Sequence, residues 1–180
     1  MVSKNKFLVL TPPRTGSTLL VNIIHGFFAP DEPVSFGPLR DLYSKVTILK
    51  SHKPSILSEK RFPHDVFIII AERPEIDQVI PEEFDKSKKL KNVLCLDYET
   101  DLLYKSKYGG DNNKSFVDVI KNIAQKIESS FSISISNSQI DNAISRISKM
   151  NKRYEEIKNL PFAKYDEFYH LHGSHRQRNG

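Results

Sequence analysis

Four short apolar runs, residues 6–10, 45–49, 65–70 and 92–96, stand out along the first hundred positions. Each is nearly continuous in hydrophobicity rather than alternating, the pattern of strands buried on both faces of a parallel sheet. Between and after them the apolar positions fall at helical spacing. Residues 17–28 carry Leu19, Leu20, Ile23, Ile24, Phe27 and Phe28 in this way. Residues 115–131 repeat the pattern with Phe116, Val119, Ile120, Ile123, Ile127 and Phe131, and residues 138–160 with Ile140, Ile144, Ile147, Met150, Tyr154 and Ile157. Ser138, with Asp141 three positions on, reads as the N-terminal box of the last helix. Strand followed by helix, repeated, predicts an α/β fold of three layers, a mainly parallel central sheet flanked by helices. Residues 29–37 and 107–114 are rich in turn formers and read as loops, and the Ser-rich stretch 129–138 reads as a connector. No linker divides the chain, so residues 1–180 are expected to form one domain, long enough to bury a full core.

Charge and cysteine content narrow the partners. Lys and Arg number 27 against 22 Asp and Glu, a formal net charge of +5. The excess suggests an anionic partner without choosing among nucleotide, nucleic acid and a sulfated or phosphorylated small molecule. Cys95 is the one cysteine, which excludes an internal disulfide framework and a Cys-based zinc cluster. Set in Val93-Leu94-Cys95-Leu96, it reads as a buried, inert thiol in a reducing compartment. No segment reaches the roughly 18 consecutive apolar residues of a membrane span, and the run at 7–10 is too short for a signal peptide. The expectation is a soluble, cytoplasmic protein without a membrane span.

Chemistry gathers where strands end. Between the first strand and first helix lies Pro13-Arg14-Thr15-Gly16-Ser17-Thr18. A glycine-containing turn at a helix N-terminus presents free backbone N–H groups and the positive end of the dipole, to which Arg14 adds charge and Ser17 and Thr18 add hydroxyls. An anion site and an ordinary capped turn both fit. After the second strand, Lys50 and His52 in Lys50-Ser51-His52 stand two apart, on one side of an extended chain, as an electrophilic charge and a general base. On position alone, solvent-facing loop residues are the stronger reading. Arg73, in Glu72-Arg73-Pro74-Glu75, is placed either to clamp a phosphate bidentately or to pair with a neighbouring glutamate. Asp97 resembles a magnesium-holding carboxylate, but the favoured reading is the N-cap of a helix beginning near Tyr98. The end of the chain is aromatic, then basic: Phe162, Tyr165, Phe168 and Tyr169 precede His170, His172, His175, Arg176 and Arg178.

In this order the segments resemble the P-loop sulfotransferases, which use 3′-phosphoadenosine 5′-phosphosulfate (PAPS). The family's P-[RK]-[ST]-G-[ST]-[ST] loop is matched by Pro13-Arg14-Thr15-Gly16-Ser17-Thr18, its K-[ST]-H segment by Lys50-Ser51-His52, and its R-[DP] turn by Arg73-Pro74. Leu96-Asp97-Tyr98-Glu99 looks like the family's strand-then-Y-E segment, and residues 170–180 are similar to the basic loop that closes over the nucleotide. The resemblance implies a P-loop NTPase-like domain that transfers a sulfuryl group from PAPS to a hydroxyl or amine, leaving 3′-phosphoadenosine 5′-phosphate (PAP). Arg14, Thr15, Gly16, Ser17 and Thr18 would bind the 5′-phosphosulfate, and Arg73, His175, Arg176 and Arg178 the rest of the nucleotide. Lys50 and Arg14 would stabilise charge, His52 would take the acceptor's proton, and no metal would be required. The implied acceptor is a small molecule or glycan, unidentified by the sequence, as is the oligomeric state; nucleic acid is not an expected partner. Three features depart from the family: Pro81 replaces a Ser usual about eight places after the 3′-phosphate Arg, Arg14 stands where soluble members have Lys, and the chain is short. The alternatives are a P-loop small-molecule kinase using ATP and magnesium, which would recruit Asp97, and a non-catalytic nucleotide-binding module.

Overall fold

In a computed structural model of the chain, residues 5–13, 16–44, 46–58, 65–72, 82–103, 115–161 and 165–172 are described. The apolar run at the start forms β1 (Lys6–Leu10), in which Phe7, Leu8, Val9 and Leu10 are all fully buried. Then follow α1 (Ser17–Phe28), β2 (Ser35–Phe36), α2 (Leu39–Ser44), β3 (Ile48–Ser51), a 3₁₀ turn (Pro54–Ser58) and β4 (Val66–Glu72). The second half supplies α3 (Glu82–Ser87), β5 (Val93–Asp97), a wide π-type turn (Tyr98–Leu102), α4 (Phe116–Phe131), α5 (Asn137–Ile157) and a small hairpin of β6 (Tyr165–Asp166) and β7 (Leu171–His172).

Five strands form one parallel sheet in the order β2-β3-β1-β4-β5. Because strand side chains alternate between faces, the continuous runs feed two cores. Phe7, Val9, Ile48, Ile69, Leu94 and Leu96 pack with apolar residues of α1, α4 and α5. Leu8, Leu10, Leu49, Ile68 and Ile70 pack on the opposite face with Leu42, Ile56 and Phe84. Helices thus cover both faces, as the strand–helix alternation led one to expect. The chain leaves β1 toward the β2–β3 side and leaves β4 toward β5, so the connections diverge at the carboxyl end of the central strands, the place where open α/β sheets take their ligands.

Helix α1 lies against α5 through a close approach. A Cβ built on Gly26 would fall 2.3 Å from the Cα of Ala143, so only glycine fits there. Gln139 ties the same two helices end to end, its Nε2 donating to the Phe27 carbonyl at 2.9 Å.

Several expectations are corrected. β3 starts three residues later than the apolar pattern suggests and runs through Lys50 and Ser51, because register with β1 pairs Phe7 with Ile48 and Leu10 with Ser51. The Glu32 carboxylate instead holds Thr47, by N–H and hydroxyl. The 29–37 stretch is not all loop: Ser35–Phe36 pairs with Leu49 and Lys50 as an edge strand too short to leave a periodic signal. The box opening α5 is Ser136 with Gln139, not Ser138 with Asp141, and the helix ends at Ile157. Cys95 is exposed rather than buried, since on edge strand β5 only the Leu94 and Leu96 face is covered. Its thiol is still pushed up, by partial burial and then by the Glu72 charge, so little thiolate forms. Residues 132–136 carry no helix or strand, as a connector should. The 107–114 loop lies outside the described residues.

Candidate functional site

Gly16 closes β1's loop onto α1. It sits at φ 72°, ψ 17°, as N-cap, and among the described residues no side chain caps the helix. This left-handed conformation favours glycine, and a Cβ would meet the Tyr98 ring at 2.6 Å. The first N–H groups of α1 have no partners within the helix and face the loop. Ser17 is buried and Thr18 half-buried at the same turn.

Lys50 approaches this turn from β3. It shares the α1-facing side of the strand with Ile48 and is only 2% exposed, which overturns the solvent-facing reading. Its Nζ donates to Thr18 Oγ1 at 3.1 Å. Among the described residues it has no carboxylate partner. Burial alone lowers its pKa to about 7.

His52 stands just beyond β3. Its Nδ1 lies 2.7 Å from the Thr11 carbonyl oxygen. A carbonyl only accepts, so Nδ1 carries the proton and Nε2 keeps the lone pair a general base needs. Burial lowers the His52 pKa, the Thr11 bond works to raise it, and Lys50 lowers it again. The ring is held neutral near pH 7.

The β6–β7 hairpin brings further rings to this rim. Phe36, 51% exposed, lies 5.5 Å from His52 and 5.3 Å from His170, centroid to centroid. Tyr165 shares a hydrogen bond with His170 Nδ1 and lies 4.6 Å from the His172 ring. Burial and then the Lys50 charge lower the His172 pKa. Phe36, Asn22 and Arg146 escaped the sequence reading. Phe36 sits on a two-residue strand, and the other two sit inside helical patterns where a polar residue reads as surface.

Of the residues singled out in the sequence, Gly16, Ser17, Thr18, Lys50 and His52 gather around the carboxyl ends of β1 and β3. Arg14, Thr15, Arg73, Pro81, His175, Arg176 and Arg178 lie outside the described residues. The Asp97 carboxylate accepts from the Thr100 N–H at 2.9 Å and caps the turn that begins at Tyr98, as favoured. Among the described residues no group of three His, Cys, Asp or Glu side chains is placed to hold a metal ion, and no helix is long and apolar enough to cross a membrane. Comparison with protein-family models and with curated proteins finds no match to the chain.

Proposed function

We propose that the protein is a sulfuryl-transfer enzyme of P-loop type, taking PAPS as donor and a hydroxyl or amine of a small molecule or glycan as acceptor. One observation carries the reading: the Lys50 ammonium is buried at the N-terminus of α1, with neither a side-chain cap nor a carboxylate partner there among the described residues. A buried cation without a counter-charge is costly, so the arrangement suits an anion brought from solution. The strand order 2-3-1-4-5, with the glycine turn after the central strand, supports the P-loop assignment.

The donor, when bound, supplies the activated sulfuryl group. The backbone N–H groups of Ser17 and Thr18, with Lys50, would offset negative charge building on the departing phosphate. Neutral His52 would receive the acceptor's proton at Nε2, while Thr11 holds the ring's tautomer. Arg14 and Thr15 would extend the cradle, and Arg73, His175, Arg176 and Arg178 would meet the rest of the nucleotide, on the strength of the motif resemblance.

Calorimetric titration with PAP in EDTA, set beside ATP with magnesium, tests the proposal. Metal-independent PAP binding with weak ATP binding is expected. Preference for ATP–magnesium would replace sulfuryl transfer by the kinase reading, and binding of neither would remove both.

A further inference from the structure

Arg146 is the most deeply buried arginine among the described residues, at 3% exposure, and although the Asp31 and Glu32 charges act on it from nearby, neither forms an ion pair with it. Its guanidinium instead holds three neutral oxygens in three directions. Nε donates to Asn22 Oδ1 at 3.0 Å, Nη1 to the Pro30 carbonyl at 2.7 Å and Nη2 to the Phe168 carbonyl at 3.3 Å. The Phe168 ring covers it at 4.5 Å. Asn22 continues the connection, its Nδ2 donating to the Thr18 carbonyl at 2.8 Å and to the Tyr169 carbonyl at 2.9 Å. Thr18 in turn receives the Lys50 ammonium. The Val34 N–H, just before β2, also donates to the Phe168 carbonyl, at 3.0 Å.

Three segments distant in sequence thus meet on one planar fork: α1 at Asn22, the stretch leading to Phe36, and the hairpin bearing His170 and His172. A leucine would fill this place at lower desolvation cost. A guanidinium, with its N–H groups fixed in one plane, can set the angles among one side chain of α1 and two separate backbones.

We propose that Arg146, through Asn22, is a positioning residue for the reactive rim, fixing the histidine-bearing hairpin against the Lys50 end of α1. That this rim is reactive rests on the sulfuryl-transfer reading; the positioning itself is testable without any substrate.

The test is ring-proton NMR titration of the histidines in the full chain, free of ligand, in wild type, Arg146→Ala and Asn22→Leu. Asn22→Leu removes the acceptor for Arg146 and both donations at nearly unchanged volume and with no change of charge, so a shift there reports position and not a lost charge. In both variants the His172 pKa is expected to rise toward that of an exposed imidazole. His52, held by Thr11, should stay put. A cavity of about 320 Å³ borders Arg146, between α5 and Phe168, and gives small solutes access. Millimolar guanidinium, against sodium at equal ionic strength, should therefore restore the His172 titration in Arg146→Ala. If Arg146→Ala does not fold, Asn22→Leu decides alone. An unmoved His172 titration in the folded variants would overturn the proposal. Parallel PAP titrations separate the two readings: wild type that ignores PAP while the variants shift His172 leaves the positioning standing and the sulfuryl-transfer reading lost.

Discussion

Lys50 carries a charge into a place where charge is expensive, and the consequence for stability has a definite sign. Its folded pKa, about 7, lies below the ordinary lysine value of 10.5. Between those values the unfolded chain binds a proton the folded chain does not, so stability from this group rises with pH across that window and is lowest below it. Lys50→Met should therefore raise the melting temperature of the ligand-free protein at pH 6 in chloride buffer and flatten its rise between pH 7 and 10. At this chain length about 2–4 °C accompanies each kcal/mol. The same variant should bind PAP at least about tenfold more weakly, the scale of one charge-assisted hydrogen bond. Lower stability in Lys50→Met would mean that the ammonium is compensated after all. At Gly16 the strain has the opposite origin. Gly16→Ala meets both the positive φ and the Tyr98 ring, so a loss of roughly 2 kcal/mol in urea unfolding is expected, with PAP binding lost along with the turn. These residues were legible as a cluster of types: the glycine turn and the Lys50-Ser51-His52 run gave the chemistry. What the types could not convey was the depth of Lys50, because burial followed from the register of β3 against β1 and not from its neighbours in the chain.

At the scale of elements, the α1–α5 seam is the tightest contact and makes a sharp prediction. In Gly26→Ala the new methyl would press on the Ala143 backbone, not merely on its side chain, so the helices must part. Urea unfolding should show a loss of about 1–3 kcal/mol. Ala143→Gly should restore only part of it, since the Cα remains in the way; full restoration would mean that only the side chain is crowded. The long helices were readable from their apolar stripes because each buries a single face: α4 and α5 matched their patterns to within a few residues. The first box of α5 was misplaced by two positions because Ser136 and Ser138 are equivalent by type, and only the reach of Gln139 to the Ser136 N–H distinguishes them. The two-residue strands β2, β6 and β7 carry too few residues for any period to appear.

For the molecule as a whole, the alternation of strand and helix conveyed the layers, whereas strand order did not follow from it. Neither did the meeting of Asn22 and Arg146, which lie 124 positions apart and touch only after both helices have docked. That separation also sets when the protein can fold. β1 and α1 are made before α5, yet α1 waits for α5 to cover it, and the rim waits for the hairpin beyond. A chain stopped after Phe131 should leave the α1 face bare and be digested in pulse proteolysis, while one stopped after Ile157 should resist. Equal resistance of both would show that α4 suffices as cover. On the ribosome the apolar face of α1 must therefore stay uncovered until α5 has emerged, an exposure that favours chaperone capture of nascent chains over folding as they emerge.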